Sequence, residues 1–428
     1  MMATPPHGFG PIPLKYLASK IGSGKTPKGG AEAYSESGVL FLRSQNVHFD
    51  GLRLEDVAFI DQATDEEMST TRVQVDDVLL NITGASLGRV TRFPKGVGDA
   101  NVNQHVCIVR PQLNVDARFI AYALASVPVQ QQISTMQVGG NREGLNFEQV
   151  GNLLVPDADW SEQRRISDFL DVEVSRIDRL VSAKKRASNL IDERRVALTT
   201  HLCLRGVSGD GPLKDSWAGP IGAIPRHWRV TRNKNLLTEV VDLSEDGCEE
   251  LLTVSHLTGV TPRREKSVYM FMAESTAGYK RCQPNDLVIN TLWAWMGALG
   301  VSRHAGIVSP AYGVYRFTSD EAYPEYFDRL YRTPAYVSEM TRYSRGVWTS
   351  RLRLYPESFL ALSVPVPPRR EQEEIVRSLD RELEPEVRTQ SKIERSNGLL
   401  AERRQALITA AVTGQLDVST ASGRGIEE

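Results

Sequence analysis

Gly22-Ser-Gly-Lys-Thr26 looks like the tail of a loop that cradles nucleotide phosphates. Such a loop needs a glycine five residues before Gly24, an apolar strand ahead of it and a helix behind. This chain has Ser19 at the first position, no apolar run before it, and Pro27 directly after. The segment therefore reads as a basic, glycine-rich turn, with Lys25 suited to a phosphate backbone. Asp76-Asp77 offers paired carboxylates at a strand start, but no lysine accompanies them as a nuclease would require; a solvated turn is the expectation. There is neither the Asn/Asp-Pro-Pro-aromatic turn nor the glycine-rich cofactor loop of an adenine methyltransferase. The seven histidines are scattered, and Cys107, Cys203, Cys248 and Cys282 lie far apart, which argues for reduced thiols in the cytoplasm and against a zinc site. No catalytic residue, metal or cofactor is assigned to this chain.

A second kind of chemistry needs no catalyst. Arg and Lys hydrogen-bond guanine edges in the major groove, and Asn and Gln match adenine. Loops rich in such residues occur in both halves. The first half has Arg43, Gln45 and Asn46; Asn81, Thr83 and Ser86; Asn103 and Gln104; and Asn141 and Arg142, besides Lys25. The second has Asn290, Trp293 and Trp295; Ser309 and Tyr312; and Arg345, Trp348 and Arg351. At each, an ordinary turn with asparagine bonding its own backbone is the alternative. Trp293 and Trp295 flank Ala294, so one is expected in the core and only the other against a ligand. Asn81 and Asn290 occupy equivalent places, which leaves a shared structural role open.

That equivalence comes from a duplication. Ser161-Glu-Gln-Arg-Arg-Ile166 moved 209 positions meets Arg370-Glu-Gln-Glu-Glu-Ile375. The same offset carries Leu170-Asp171 onto Leu379-Asp380, Glu193-Arg-Arg195 onto Glu402-Arg-Arg404, and Val78-Leu-Leu-Asn81 onto Leu287-Val-Ile-Asn290. A period this long means two homologous domains rather than a solenoid. Each unit opens with short β-like runs, such as 39–42, 78–80, 106–109, 251–254 and 313–317, punctuated by Gly, Pro and Asn. Helices are expected at 117–126 and 324–331. Each unit closes with a long helix. Over 161–204, Ile166, Leu170, Val174, Ile177, Val181, Ile191 and Leu198 recur at three and four; over 370–413, Ile375, Leu379, Leu383, Ile393, Leu400 and Leu407 do the same. Asp159 offers an N-cap to the first helix, and Gly206 and Gly414 offer stops. At 1.5 Å per residue such a helix spans about 65 Å, more than a domain of this size, so each must find a partner. The other helix, packed antiparallel, is the expected one. Pro385 should kink or interrupt the second helix.

Bulk properties permit this scheme without suggesting its ligand. With 428 residues, two or more domains are the natural prior. No apolar run of membrane-spanning length occurs, and the opening residues lack the basic flank and apolar stretch of a secretory signal. The net charge is −2; residues 1–150 carry 13 Lys+Arg against 15 Asp+Glu, and residues 221–365 carry 17 against 15. A nucleic-acid binder usually shows a basic excess, so any cationic groove must come from folding or from partners.

In order and spacing, these motifs resemble the specificity subunits of Type I restriction–modification systems along nearly the whole chain. The resemblance rests on Gly24-Lys-Thr-Pro27, on Asp77-Val-Leu-Leu-Asn-Ile-Thr-Gly-Ala-Ser-Leu-Gly-Arg-Val90, and on Trp293-Ala-Trp-Met-Gly297 with Gly306-Ile-Val-Ser-Pro-Ala-Tyr312. It rests above all on the paired helix openings, Pro156 ahead of Glu162-Gln163-Arg-Arg-Ile166, and Pro365-Val-Pro-Pro-Arg-Arg-Glu371-Gln372-Glu-Glu-Ile375. It implies an α+β chain of two tandem strand-rich target-recognition domains, 1–158 and 207–368. Each is followed by a long helix, 159–206 and 369–414, and a polar tail fills 415–428. The helices would pack as an antiparallel coiled-coil spacer. The resemblance further implies double-stranded DNA with a split, asymmetric site as ligand. Two methyltransferase subunits bringing S-adenosylmethionine, and ATP-driven restriction subunits, would be the partners. A specificity chain for another modification or defence enzyme, or a coiled-coil scaffold that never touches DNA, remains the alternative.

Overall fold

Leu79 faces one buried layer while its neighbours Val78 and Leu80 face another, which is why the run reads as continuously apolar. This strand belongs to the computed structural model's first unit; the structure describes residues 8–136, 144–209, 211–216, 218–265, 275–347 and 352–419. The chain divides into two compact units, Met1–Lys185 with Glu394–Glu428, and Arg186–Ile393.

In the first unit, β1 (Ala18–Ser23), β2 (Val78–Asn81), β3 (Val90–Arg92) and β4 (Val106–Pro111) form an antiparallel sheet of order β1-β4-β2-β3. Cys107 stands opposite both Ser23 and Leu80, fixing the register. One face packs on α1 (Ala117–Ala125) and α2 (Val127–Thr135) through Phe119, Ile120, Leu124 and Val129. The other face meets Leu42, Val73 and Val102 of a mixed sheet whose strands are Val39–Leu42, Ala58–Ile60, Arg72–Val73 and Ala100–Val102.

In the second unit, β5 (Leu237–Glu239), β6 (Leu287–Asn290), β7 (Leu299–Val301) and β8 (Tyr312–Phe317) form an antiparallel sheet of order β5-β8-β6-β7. Order and pairing repeat those of the first sheet. Leu287 and Ile289 face a core with α4 (Pro324–Tyr331) and α5 (Pro334–Tyr343), where Tyr326, Phe327, Tyr331 and Tyr336 are among the largest fully buried side chains. Val288 faces the opposite way, against Val254, Val308 and Val314.

The sheets share an ion pair that holds strand ends together. Arg110 on β4 grips Asp77 through two nitrogens at 2.7 and 2.8 Å; Arg316 on β8 grips Asp286 at 2.8 and 2.8 Å. Asp77 also accepts from the Gln74 amide, and Asp286 from the Gln283 amide, in turns whose preceding residues, Asp76 and Asn285, have φ of 72° and 74°. Asp and Asn tolerate this left-handed geometry better than most residues. Asp77 is therefore not the solvated turn residue expected. It is 1% exposed, because the arginine on the adjacent strand makes its burial tolerable.

Two long helices complete the chain, α3 (Trp160–Arg205) and α6 (Arg369–Val412). Asp159 caps α3 by accepting the Glu162 amide at 3.0 Å. Gly206 and Gly414 follow the two helices at φ 77° and 73°, a geometry suited to helix termination. In the first unit, Ile166, Leu170 and Val174 share a core with Ile408, Ala411 and Val412, and Asp178 pairs with Arg404 at 3.2 Å. In the second, Leu202 and Cys203 share a core with Ile375 and Leu379, Arg194 pairs with Glu386 at 2.8 Å, and Gln390 donates to Ser188 at 2.5 Å. Pro385 does not interrupt α6. It removes one amide donor, while Leu383 and Glu386 beside it stay buried and keep that turn anchored. No described helix is long and apolar enough to cross a membrane.

The repeated Glu-Gln at each helix opening has a physical role. The Gln163 side chain accepts from the Asp116 amide at 2.9 Å and donates to the Ala158 carbonyl at 2.8 Å. Gln372 accepts from the Tyr323 amide and donates to the Glu321 and Pro367 carbonyls, each at 2.8 Å. Both are buried, so each glutamine pins its helix start to the loop that leads into α1 or α4.

Candidate nucleic-acid interface

Antiparallel pairing brings three loops to one end of the first sheet. Residues 24–26 leave β1, residues 82–88 leave β2, and residues 103–105 enter β4. Gly24 makes the crossing possible: a Cβ there would fall 1.6 Å from the Val102 carbonyl oxygen. The phosphate-loop likeness is thus a strand end passing over backbone, followed by an irregular turn rather than directly by a helix. Thr26 donates to Gln104 at 2.6 Å, Gln104 contacts the His105 ring at 3.1 Å, and that ring's other nitrogen meets Thr83 at 2.6 Å. Asn81 donates to the Ser44 carbonyl at 2.7 Å, which draws in the 43–46 turn.

The candidates at this edge separate by burial. Lys25, Gln45 and Gln104 are exposed; Arg43, Thr83 and Ser86 are half-buried. Arg43 donates to the Asp56 carbonyl at 3.1 Å and lies over Tyr34, while Gln45 donates to the Asp56 carboxylate at 3.0 Å. Asn46, Asn81 and Asn103 are buried. Asn46 accepts from the Arg43 amide and donates to the Arg53 carbonyl, and Asn103 accepts from the His105 amide. These three hold loops together, because their amides are turned inward on the backbone. Asn141 and Arg142 lie outside the described residues.

The second sheet repeats the arrangement at the same end. Residues 291–298 leave β6 and residues 309–311 enter β8, with Asn290 opposite Tyr312. The Asn290 amide donates to the Tyr312 hydroxyl at 3.2 Å and its oxygen accepts the Leu292 amide, so this buried asparagine too is a loop-holder. Tyr312 is half-buried, and burial pushes its hydroxyl pKa up. The Ser309 hydroxyl accepts the Ala311 amide at 3.4 Å. The Leu354 amide donates to the Thr291 carbonyl at 3.0 Å, bringing in a segment where Arg345 bridges Arg353 and both guanidiniums lie over the Tyr355 ring, at 5.9 and 5.4 Å. Arg345, Arg353 and Tyr355 are exposed. Trp348 and Arg351 lie outside the described residues.

The tryptophans depart from the expected alternation. Neither enters the core: Trp293 is 51% exposed, Trp295 is half-buried, and their rings stack at 6.1 Å and 17°. Residues 294–296 form a 3-10 turn instead of a strand, so Ala294 alone points inward. The structure adds Thr26, Arg353 and Tyr355, which the sequence candidates did not include, to the candidates. The basic–aromatic spacing of Arg353-Leu-Tyr355 was the available signal for two of them.

No family model matches the chain. It is 20% identical to the Type I restriction enzyme EcoKI specificity subunit of Escherichia coli (strain K12) over 400 residues, covering 88% of this chain and 82% of that protein. Its fold is similar to a chain solved in work on complex assembly and conformational transition of the type I R-M system, with a TM-score of 0.68, 17% identity, and coverage of 97% of this chain and 100% of the other. A weaker likeness, TM-score 0.46 and 16% identity, is to the HsdS subunit from Thermoanaerobacter tengcongensis, covering 97% of this chain and 99% of that one. With its strand-rich sheets and long C-terminal helix, this chain is similar in sequence to a Type I restriction enzyme specificity subunit and in fold to a chain of a type I R-M system.

Proposed function

We propose that the chain is the DNA-reading, non-catalytic subunit of a Type I restriction–modification complex. Two tandem target-recognition domains, 1–158 and 207–368, each read half of a split, asymmetric site. The helices 159–206 and 369–414 pack as an antiparallel coiled coil that sets the gap between the halves, and 415–428 is a polar tail. The observation that carries this reading is the repeated sheet. The same strand order and the same loop-bearing end occur twice, with different exposed side chains on each. Two readers of one architecture with different loop chemistry suit a target whose halves differ in sequence.

Lys25, Gln45, Gln104, Arg43, Thr83 and Ser86 are the reading candidates in the first half; Trp293, Trp295, Arg345, Ser309 and Tyr312 are those in the second. Asn141, Arg142, Trp348 and Arg351 stay candidates from sequence alone. The near-neutral charge fits a reader whose methyltransferase partners close around the duplex and share the phosphate contacts. Leu180, Leu190 and Val196 on α3, and Val387 and Leu399 on α6, are exposed apolar side chains available to such partners. Methyl transfer and cleavage reside in the partner subunits, in the cytoplasm. Replacing residues 1–158 by the equivalent domain of another specificity chain is expected to change one half of the methylated site and leave the other, as read by mapping methyladenine in the genome. Helical residues inserted near 185 are expected to lengthen the gap alone. If the swap changes both halves or neither, the two-reader assignment fails.

A further inference from the structure

The turns that leave β2 and β6 are counterparts at the 209-residue offset, with their 3-10 turns one position apart: Gly84 is left-handed at φ 71°, whereas its counterpart Trp293 has φ −123°. Each contains one 3-10 turn, Gly84–Ser86 or Ala294–Met296, and each closes on a left-handed glycine, Gly88 at φ 83° or Gly297 at φ 80°. Their chemistry is opposite. The first presents Gly84-Ala85-Ser86, the second Trp293-Ala294-Trp295. Ala294 is fully buried and anchors the turn. The Trp295 indole N–H donates to the Leu292 carbonyl at 3.1 Å, so that ring has a fixed orientation, and Trp293 stacks on it while half its surface faces solvent. The Leu354–Thr291 hydrogen bond ties to the start of this turn the segment in which Tyr355 lies beneath two arginines.

A rigid indole pair with Trp293 exposed, tied to an arginine–tyrosine–arginine cluster, combines two demands on whatever covers it. The indoles need flat apolar faces, and the guanidiniums need anions close by. A base stack with its phosphates meets both within one ligand, whereas an apolar protein surface would leave the arginines unmatched. We propose that Trp293, backed by Trp295, acts as an apolar wedge against one base step of the half-site read by the second unit, with Arg345 and Arg353 on flanking phosphates. The second unit then reads part of its half-site through the ease with which that step unstacks. The first unit, with Ser86 in place of Trp295 and Gly84 in place of Trp293, has no wedge in this turn and relies there on hydrogen bonds. This inference rests on the DNA-reading role proposed above.

The test uses the chain assembled with its own methyltransferase subunits and a duplex carrying the site taken from the host's methylated positions. Permanganate reports unstacked thymines in each half-site, and domain exchange tells which half belongs to which unit. Wild type is expected to enhance reactivity in the second unit's half-site. Trp293→Ala abolishes that enhancement and weakens binding by about 10- to 100-fold, in line with the loss of one stacked base. Trp293→Phe, which keeps a ring, retains most of both. Any enhancement caused by the methyltransferases persists in Trp293→Ala and is thereby separated. If Trp293→Ala matches wild type in affinity and in permanganate pattern, the wedge is overturned while DNA reading stands. If the wild-type complex protects neither half-site, both fall.

Discussion

Gln372→Ala tests whether the repeated glutamine, rather than apolar packing, pins each long helix to its sheet domain. Gln372 is fully buried and makes three hydrogen bonds, to the Tyr323 amide and to the Glu321 and Pro367 carbonyls, each at 2.8 Å. Alanine removes all three and leaves the Tyr323 amide without its acceptor. An orphaned donor costs about 1–3 kcal/mol. The two carbonyls, each with a second lone pair, add less, so the total is about 2–4 kcal/mol. Gln163→Ala in the first unit loses only two bonds and should cost about 1–3 kcal/mol. Hydrogen exchange with mass spectrometry resolves the two sites in one intact chain. Amides around 321–327 should exchange roughly 30- to 700-fold faster in Gln372→Ala, with the first unit unaffected. Gln372→Glu should be no better: its carboxylate can still accept the Tyr323 amide, but it cannot donate to either carbonyl and buries a charge against them. Exchange within about threefold of wild type, or a larger effect from Gln163→Ala, would refute the reasoning. Contacts of Ile375 and Leu379 would then be what holds the helix.

The duplicated ion pair predicts that Asp77→Asn and Asp286→Asn each destabilise their own unit by about 1–3 kcal/mol, discounted for the partly exposed arginines. Equal loss of protection in both units from either single variant would contradict this. Of the four cysteines only Cys248 is exposed, and burial pushes the thiols of Cys107 and Cys203 up to about 12 and that of Cys282 up to about 11. A thiol reagent at pH 8 should therefore label Cys248 alone until denaturant is added; fast labelling of a second cysteine in native protein would disprove the packing. Hydrogen bonds from Ser244 and Arg281 hold the Glu249 carboxyl down at about 2. Its folded-state value lies below the unfolded value of about 4.3, so its contribution to local stability is present above that pH and fades as pH falls through about 2. Exchange in the 242–249 loop should accelerate over that window in wild type and show a flat profile in Glu249→Gln.

Much of the architecture was legible without coordinates because its signals are local or repeated. The three-and-four spacing from Ile166 to Leu198 places a helix where Trp160–Arg205 is found, and Asp159 and Gly206 mark its ends. The 209-residue offset aligns Val78–Asn81 with Leu287–Asn290, which prove to be equivalent strands of sheets with one topology. Strand existence was readable; strand order was not, since pairing 18–23 with 106–111 depends on contacts distant in sequence.

The candidate site shows the same division. Sequence alone singles out these loops, because Asn, Gln, Gly and Trp cluster there, and it leaves a shared structural role open for Asn81 and Asn290. Burial decided the rest. Asn46, Asn103 and Asn290 turn inward on amides of their own loops, Asn81 turns inward on the Ser44 carbonyl of another, and Asp77 goes under because Arg110 arrives from another strand. Trp293 and Trp295 share one surface because a 3-10 turn replaces the two-residue alternation of a strand. Residue type and spacing determined which segments could carry the chemistry. Only the tertiary fold decided which side chains remained free to use it, since hydrogen-bond partners and solvent exposure are set by segments far apart in the chain.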